Sequence, residues 1–320
     1  MVVLTIPGHH HLSGRGVITA QTRGRIGRQL QEAVDGADLP ASFRSLLYLA
    51  LRQPGKVLAG EPQPHWPAIV LASCAASGGD ERAAVTVAAA TELFMAGLDI
   101  LDEVEDGDHS PVVDEAGVAQ ALNVSTALLL LAQRLLSDLP ADGVAPERVP
   151  AFARTLAAAG LAATGGQHLD LAAEGQPDVT PDAALDIARR KAGALVSGVC
   201  RLGAMLGTDA EELLALYEAW GRHHGTAAQL ANDLHDAGNI DRKSDLARAK
   251  GTLPLIFVRH AGRRTAGGAS TGEVTPQDLA AGGALHFTWV VLEIERQAGA
   301  TVLEQLAARG QSVAQLRALT

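Results

Sequence analysis

Apolar residues recur along this chain at the three-and-four spacing of an α-helix almost from end to end. The pattern predicts helices over about 22–36, 41–52, 65–77, 80–106, 113–138, 147–174, 181–207, 209–237, 252–262 and 276–308, with a short last one near 311–319. Between them stand turn-forming stretches such as "RQPGK", "SGGDE", "LPADGVAPERVP" and "EGQPDVTPD". Asp80 and Thr180, the latter followed by Pro181 at a first helical position, read as helix caps. No segment alternates with period two long enough to make a strand, and no repeat of fixed period is present. The chain is therefore expected to be all-α, with residues 1–20 a flexible tail, residues 21–320 one helical domain, and a mobile stretch near 263–277.

Composition sharpens that picture. Of 320 residues, 47% are hydrophobic, 19% charged and only 3% aromatic, and alanine dominates, which suits closely packed helices better than sheets. The net charge of −10 argues against nucleic acid as a partner, since phosphate backbones need a basic face. Cys74 and Cys200 both lie in apolar helical runs and read as reduced core residues. The N-terminus lacks the basic region and continuous apolar stretch of a signal peptide, and "STALLLLAQRLL" is short and polar-edged for a membrane span. A soluble, cytoplasmic protein is the expectation. His9, His10 and His11 fall in the tail and carry no site.

Chemistry enters with "GLDILDEVEDGD", residues 97–108, at the end of the apolar run 83–98. Asp99, Asp102 and Asp106 fall three and four apart, so a helix presents them on one side. Taken alone, this is either a solvated acidic helix end or half of a site for a hard cation. A second apolar helix, "GTAAQLANDLHDAGN", carries Gln229, Asn232, Asp233 and Asp236 at helical spacing. Two such helices facing each other across a bundle would form a cation site with ligands from both. Lys191, set among small apolar residues, and Lys243 and Lys250, after the second acidic stretch, supply positive charge suited to a diphosphate.

These stretches together resemble the trans-isoprenyl diphosphate synthase (polyprenyl synthetase) family of class I isoprenoid enzymes. "LDEVED" stands where that family has its first aspartate-rich motif, with Asp102, Glu103 and Asp106 in the three acidic positions. "GGQHLDL" gives Gln167 and Asp170, "KAGAL" gives Lys191, and "QLANDLHD" resembles the second aspartate-rich motif with Asn232 in its first position. "KSDLARAKGTLP" is similar to the closing lysine-containing loop, with Lys250 a firm match and Lys243 a looser one. The matches run in family order from about residue 55 to 255. The resemblance implies a helical bundle around a central diphosphate and metal cavity, a homodimer, and Mg²⁺, three ions in the family, held by Asp102, Glu103, Asp106, Asn232, Asp233 and Asp236. It also implies diphosphate binding by Lys191, Lys243 and Lys250, with Lys191, Asp102 and Asp106 catalytic. Gln167, Asp170 and Gln229 would position the substrate, and Phe94, Gly97 and Leu98 would line the cavity.

The chain also departs from the family. The second substrate there, isopentenyl diphosphate, is held by a Gly-Lys-x-x-Arg element, a histidine and an arginine pair. Here Gly55 and Lys56 remain, but Ala59 stands at the arginine position, Met95 at the histidine, and "GDHSPVVDEAG" contains no arginine. Losing those partners should cost several kcal/mol in binding a multiply charged acceptor. The expected activity is thus ionisation of an allylic polyprenyl diphosphate of fifteen carbons or more. The cation is then cyclised, as in synthase-like terpene cyclases, or passed to a non-isopentenyl acceptor, as in ComQ-type prenyltransferases. The alternatives are ordinary chain elongation, with Lys56 or Arg52 substituting for the lost cations, and a non-catalytic synthase-like subunit.

Overall fold

A computed structural model describes residues 17–60, 64–176, 178–238, 251–265 and 274–320. The expected N-terminal tail, most of the 263–277 stretch, Lys243 and Lys250 fall outside the described residues in whole or in large part. Among the described residues every regular element is helical, as the apolar periodicity predicted.

The helices are α1 (Ala20–Asp35), α2 (Ala41–Leu51), α3 (His65–Ser77), α4 (Glu81–Asp106), α5 (Pro111–Ala116), α6 (Val118–Ser137), α7 (Val149–Ala173) and α8 (Pro181–Ala188). A π-helical turn, Arg189–Gly193, joins α8 to α9 (Ala194–Ala204). Then follow α10 (Glu211–Gly238), α11 (Leu253–Thr265), α12 (Pro276–Ala281), α13 (Ala284–Ala308) and α14 (Ala314–Arg317). The predicted caps are in place: Asp80 accepts from the Arg82 N–H at 2.8 Å, and Thr180 accepts from the Ala183 N–H at 3.2 Å.

Two predicted helices turn out to be broken, and a third is distorted. The 113–138 segment divides at Gly117 (φ 80°), and 276–308 divides at Gly282–Gly283, with Gly283 at φ 72°. The 181–207 segment runs through, but the π turn widens it in the middle.

The core is built on helices that are apolar on every side. All residues from Ala83 to Gly97 of α4 are buried, which is why that stretch shows no polar face. α3 is buried almost as completely, from Trp66 to Cys74. Around this pair, α4 packs on α6 and α3, α10 packs on α13 and α9, and α7 lies on α9. Cys74 and Cys200 are buried and unbridged, as expected of core thiols. By length and composition α4 and α6 could each cross a membrane, contrary to the sequence expectation, but α4 is the central helix of the bundle. α6 is different: its outer side leaves Val118, Leu122 and Leu130 exposed.

Candidate active site

The acidic end of α4 sits where a helix least favours it. Carboxylates near a helix C-terminus oppose the macrodipole, and the last turn of α4 contains no basic residue to compensate. Positive charge arrives instead from the π turn. Lys191 Nζ stands 3.4 Å from Asp102 Oδ1 and 2.8 Å from Asp170 Oδ2 on α7, with all three side chains largely buried. Burial pushes the Asp102 carboxyl up, but nearby positive charge, that of Lys191 foremost, more than offsets it, and the group lies below the ordinary aspartate range. Burial likewise lowers Lys191, while Asp102 and Asp170 raise it further than burial lowers it. Both groups are charged at neutral pH. Beside them, Gln167 Nε2 donates to Asp106 Oδ1 at 2.9 Å, and its own buried Oε1 has no hydrogen-bond partner among the described residues.

The π turn and Gly166 place Lys191. A Cβ on Gly166 would lie 2.8 Å from the Lys191 backbone nitrogen and 2.9 Å from its Cγ, so α7 can approach the turn only through a glycine there. The sequence reading passed over Gly166, although it stands directly before Gln167 in "GGQHLDL".

On α10, Asp233 is buried. It accepts from Gln229 Nε2 at 3.0 Å and from the Leu253 backbone N–H at 3.1 Å. Burial pushes it up to about 6, with the charges of Asp170 and Asp236 adding to the rise. Its oxygens fasten α10 to the start of α11. Asn232 is half-buried and Asp236 exposed on the same helix, so both offer oxygens nearer to solvent. Asp170 links the halves of the site: it bonds Lys191 on one side and its charge is felt by Asp233 on the other.

Five other expected residues meet neighbours of their own. Glu103 is buried, and burial raises its carboxyl; one residue on from Asp102 along the helix, it does not share the Asp102 and Asp106 face. Gly97 is closely approached by α6: a Cβ there would press at 3.1 Å on Leu129 and on the Ser125 carbonyl, and Ser125 Oγ donates to its carbonyl. Phe94 packs its ring over Gly160 of α7, and half-buried Leu98 packs against the core. Asp99, expected beside Asp102, turns away to Lys56, with Lys56 Nζ 2.5 Å from Asp99 Oδ2. Lys56 is buried, and next to it Glu92 accepts from the Val57 N–H at 2.7 Å.

Among the described residues, no group of three or more His, Cys, Asp or Glu side chains stands close enough to hold a metal ion alone. The donor set nevertheless fits Mg²⁺. Asp102 is kept ionised, Asp106, Asn232 and Asp236 add hard oxygens, and this ion commonly takes one or two carboxylates and completes its shell with phosphate oxygens and water.

Comparison with known proteins follows the same lines. The family model described as polyprenyl synthetase matches residues 60–267. A geranylgeranyl diphosphate synthase of Mycobacterium tuberculosis is 36% identical over 200 residues, which cover 59% of this chain and 56% of that protein. A (2E,6E)-farnesyl diphosphate synthase of Mycobacterium bovis is 33% identical over 229 residues, covering 66% of this chain and 62% of its own. The chain thus spans 56–62% of the length of these relatives. Among solved structures, a polyprenyl synthetase from Streptomyces coelicolor A3(2) superposes with a TM-score of 0.72 at 23% identity, over 89% of this chain and 92% of that one. A geranylgeranyl pyrophosphate synthetase from Geoglobus acetivorans gives 0.76 at 22% identity, over 93% and 95%. These two establish the fold.

Proposed function

Because this chain belongs to the polyprenyl synthetase family, we propose that it ionises an allylic prenyl diphosphate and transfers the prenyl group, with Mg²⁺ as cofactor. The observation that carries this reading is Lys191, buried and charged between Asp102 and Asp170. A diphosphate entering there exchanges the carboxylate contact of Lys191 for a phosphate one. Asp102 and Asp106 remain as anionic oxygens available to a bridging cation. Mg²⁺ bound at these carboxylates supplies charge neutralisation of the leaving diphosphate. Lys191 adds a fixed positive charge in a water-poor setting, where it acts strongly on developing negative charge. Gln167 holds Asp106 in place through its amide. Lys250, and Lys243 beside it, would close over the same diphosphate by family resemblance.

The relatives are synthases of geranylgeranyl and farnesyl diphosphate, which supports chain elongation with isopentenyl diphosphate above the cyclisation that the missing arginines suggested. A second reading, transfer to an acceptor other than isopentenyl diphosphate or cyclisation without one, is favoured by one observation. Lys56, the cation left at the acceptor end, is engaged by Asp99 and lies beside buried Glu92. Product analysis by mass spectrometry decides between them. Purified protein with Mg²⁺ receives geranyl, farnesyl or geranylgeranyl diphosphate, each with and without isopentenyl diphosphate. Longer diphosphates formed only with isopentenyl diphosphate support elongation; hydrocarbons or alcohols formed without it support the second reading.

The partner proposed for the chain is a second copy of itself. Leu130 on α6 is 65% exposed and Leu161 on α7 is 74% exposed, with Val118, Leu122 and Leu169 also bare. Large apolar side chains gathered on two neighbouring helices are what an obligate interface covers.

A further inference from the structure

Away from Asp102 and Asp170, a groove of about 670 Å³ runs between α7 and α9 and past the π turn. Its walls carry Arg154, Arg189, Arg190, Arg201 and Arg222, against the carboxylates of Asp186 and Glu218. Five guanidinium groups around one groove stand out on a chain whose net charge is −10. Three are partly engaged: Arg189 with Glu295 at 2.8 Å, Arg190 with Asp186 at 2.6 Å, and Arg201 with Glu211 at 2.7 Å. Arg154 and Arg222 have no hydrogen-bonding or ionic side-chain partner among the described residues. Between the arginines the wall is apolar, formed by Ala158, Ala159, Ala162, Ala194, Gly198 and Met205.

We propose that this groove is a second ligand site, built for an amphipathic anion: a phosphorylated head held by Arg154 and Arg222, and a hydrocarbon tail along the alanine wall. Guanidinium groups grip phosphate oxygens through paired, charge-assisted hydrogen bonds, which suits the head. The volume lies within the range of ligand pockets and exceeds what a bare phosphate fills. The alanine and methionine part of the wall takes an apolar chain, with Thr155 and Ser197 the hydroxyls beside it. The site is distinct from the Lys191 centre. The π turn directs Lys191 toward Asp102 and Asp170, while Arg189 and Arg190 border the groove. The proposal rests on the prenyl-diphosphate reading only for its choice of probe, since it concerns binding and not turnover.

The test is titration calorimetry on the full chain in EDTA, with farnesyl diphosphate, inorganic pyrophosphate and farnesol as probes. It uses wild type, Lys191→Met, and Lys191→Met combined with Arg154→Gln and Arg222→Gln. Lys191→Met removes the contribution of the Lys191 centre and is expected to retain one farnesyl diphosphate site per chain, that of the groove. The two arginine substitutions should weaken that binding at least tenfold, without shifting the thermal midpoint of these exposed sites. Pyrophosphate and farnesol should each bind at least tenfold more weakly than farnesyl diphosphate. Binding already lost in Lys191→Met, or unchanged by the arginine substitutions, would overturn the site. Pyrophosphate binding as tightly as farnesyl diphosphate would overturn the amphipathic ligand. A chain that turns over no prenyl diphosphate at all would refute the proposed function and leave this result standing.

Discussion

Lys191 Nζ on the π turn reaches Asp102 Oδ1 on α4 across 3.4 Å, so the acidic end of the central helix is neutralised by a lysine 89 residues later, held in place by α7. Lys191→Met should therefore do two things. Turnover of an allylic diphosphate should fall about 10²–10³-fold, the range seen when one fixed electrostatic stabiliser is removed. The Asp102 carboxyl, without the ammonium beside it, should rise. Steady-state kinetics and a carboxyl titration by NMR read the two effects separately.

Asp99 and Lys56 make a second prediction. An ammonium paired at 2.5 Å with a carboxylate and flanked by Glu92 is a poor receptor for another anion. Asp99→Asn removes the competing charge while keeping size. If isopentenyl diphosphate is the acceptor, its KM should drop roughly tenfold, with kcat changed little. An unchanged KM would show that the acceptor does not meet Lys56.

His224 should weaken the fold in acid, against the opposite effect of buried acids such as Asp233. It is buried, stacked on Trp220 with centroids 5.0 Å apart, and burial, with His65 and Arg296 adding to it, pushes its pKa down to about 3. The unfolded chain protonates this imidazole near 6.5, so between pH 6.5 and about 3 the unfolded state binds more protons. The native state is thus free of this cost above pH 6.5 and loses stability progressively as pH falls through that window, by about 2 kcal/mol at pH 5. His224→Phe preserves the stack and should flatten urea-derived stability between pH 6.5 and 4.

The exposed leucines predict an oligomeric consequence. Placing charge at both Leu130 and Leu161 should convert a dimer to a monomer in light scattering. A wild-type chain that runs as a monomer at micromolar concentration would dispose of the interface.

The fold was legible because alanine- and leucine-rich runs with helical period leave little else to form. What escaped the periodicity were the breaks at Gly117 and Gly283, where positive φ angles interrupt patterns that continue on either side. In the site, Asp102, Asp106, Gln167, Asp170 and Lys191 were found by motif, and the structure brings them together. Spacing along one helix could not tell which neighbour each acid meets. It groups Glu103 and Asp233 with the other acids, while the structure shows Glu103 buried and Asp233 fastening α10 to α11. The Lys56–Asp99 pair spans 43 residues with no motif joining its halves, so nothing in the sequence announces it.

The central claim is that Asp102, Asp106 and Lys191 act on an allylic prenyl diphosphate. Release of inorganic diphosphate tests it most directly, measured continuously with farnesyl diphosphate, isopentenyl diphosphate and Mg²⁺, for wild type and for Asp102→Ala. Mg²⁺-dependent release that falls at least a hundredfold in Asp102→Ala, with the fold intact by circular dichroism, is the predicted result. Release that is independent of Mg²⁺ or equal in both proteins would contradict it.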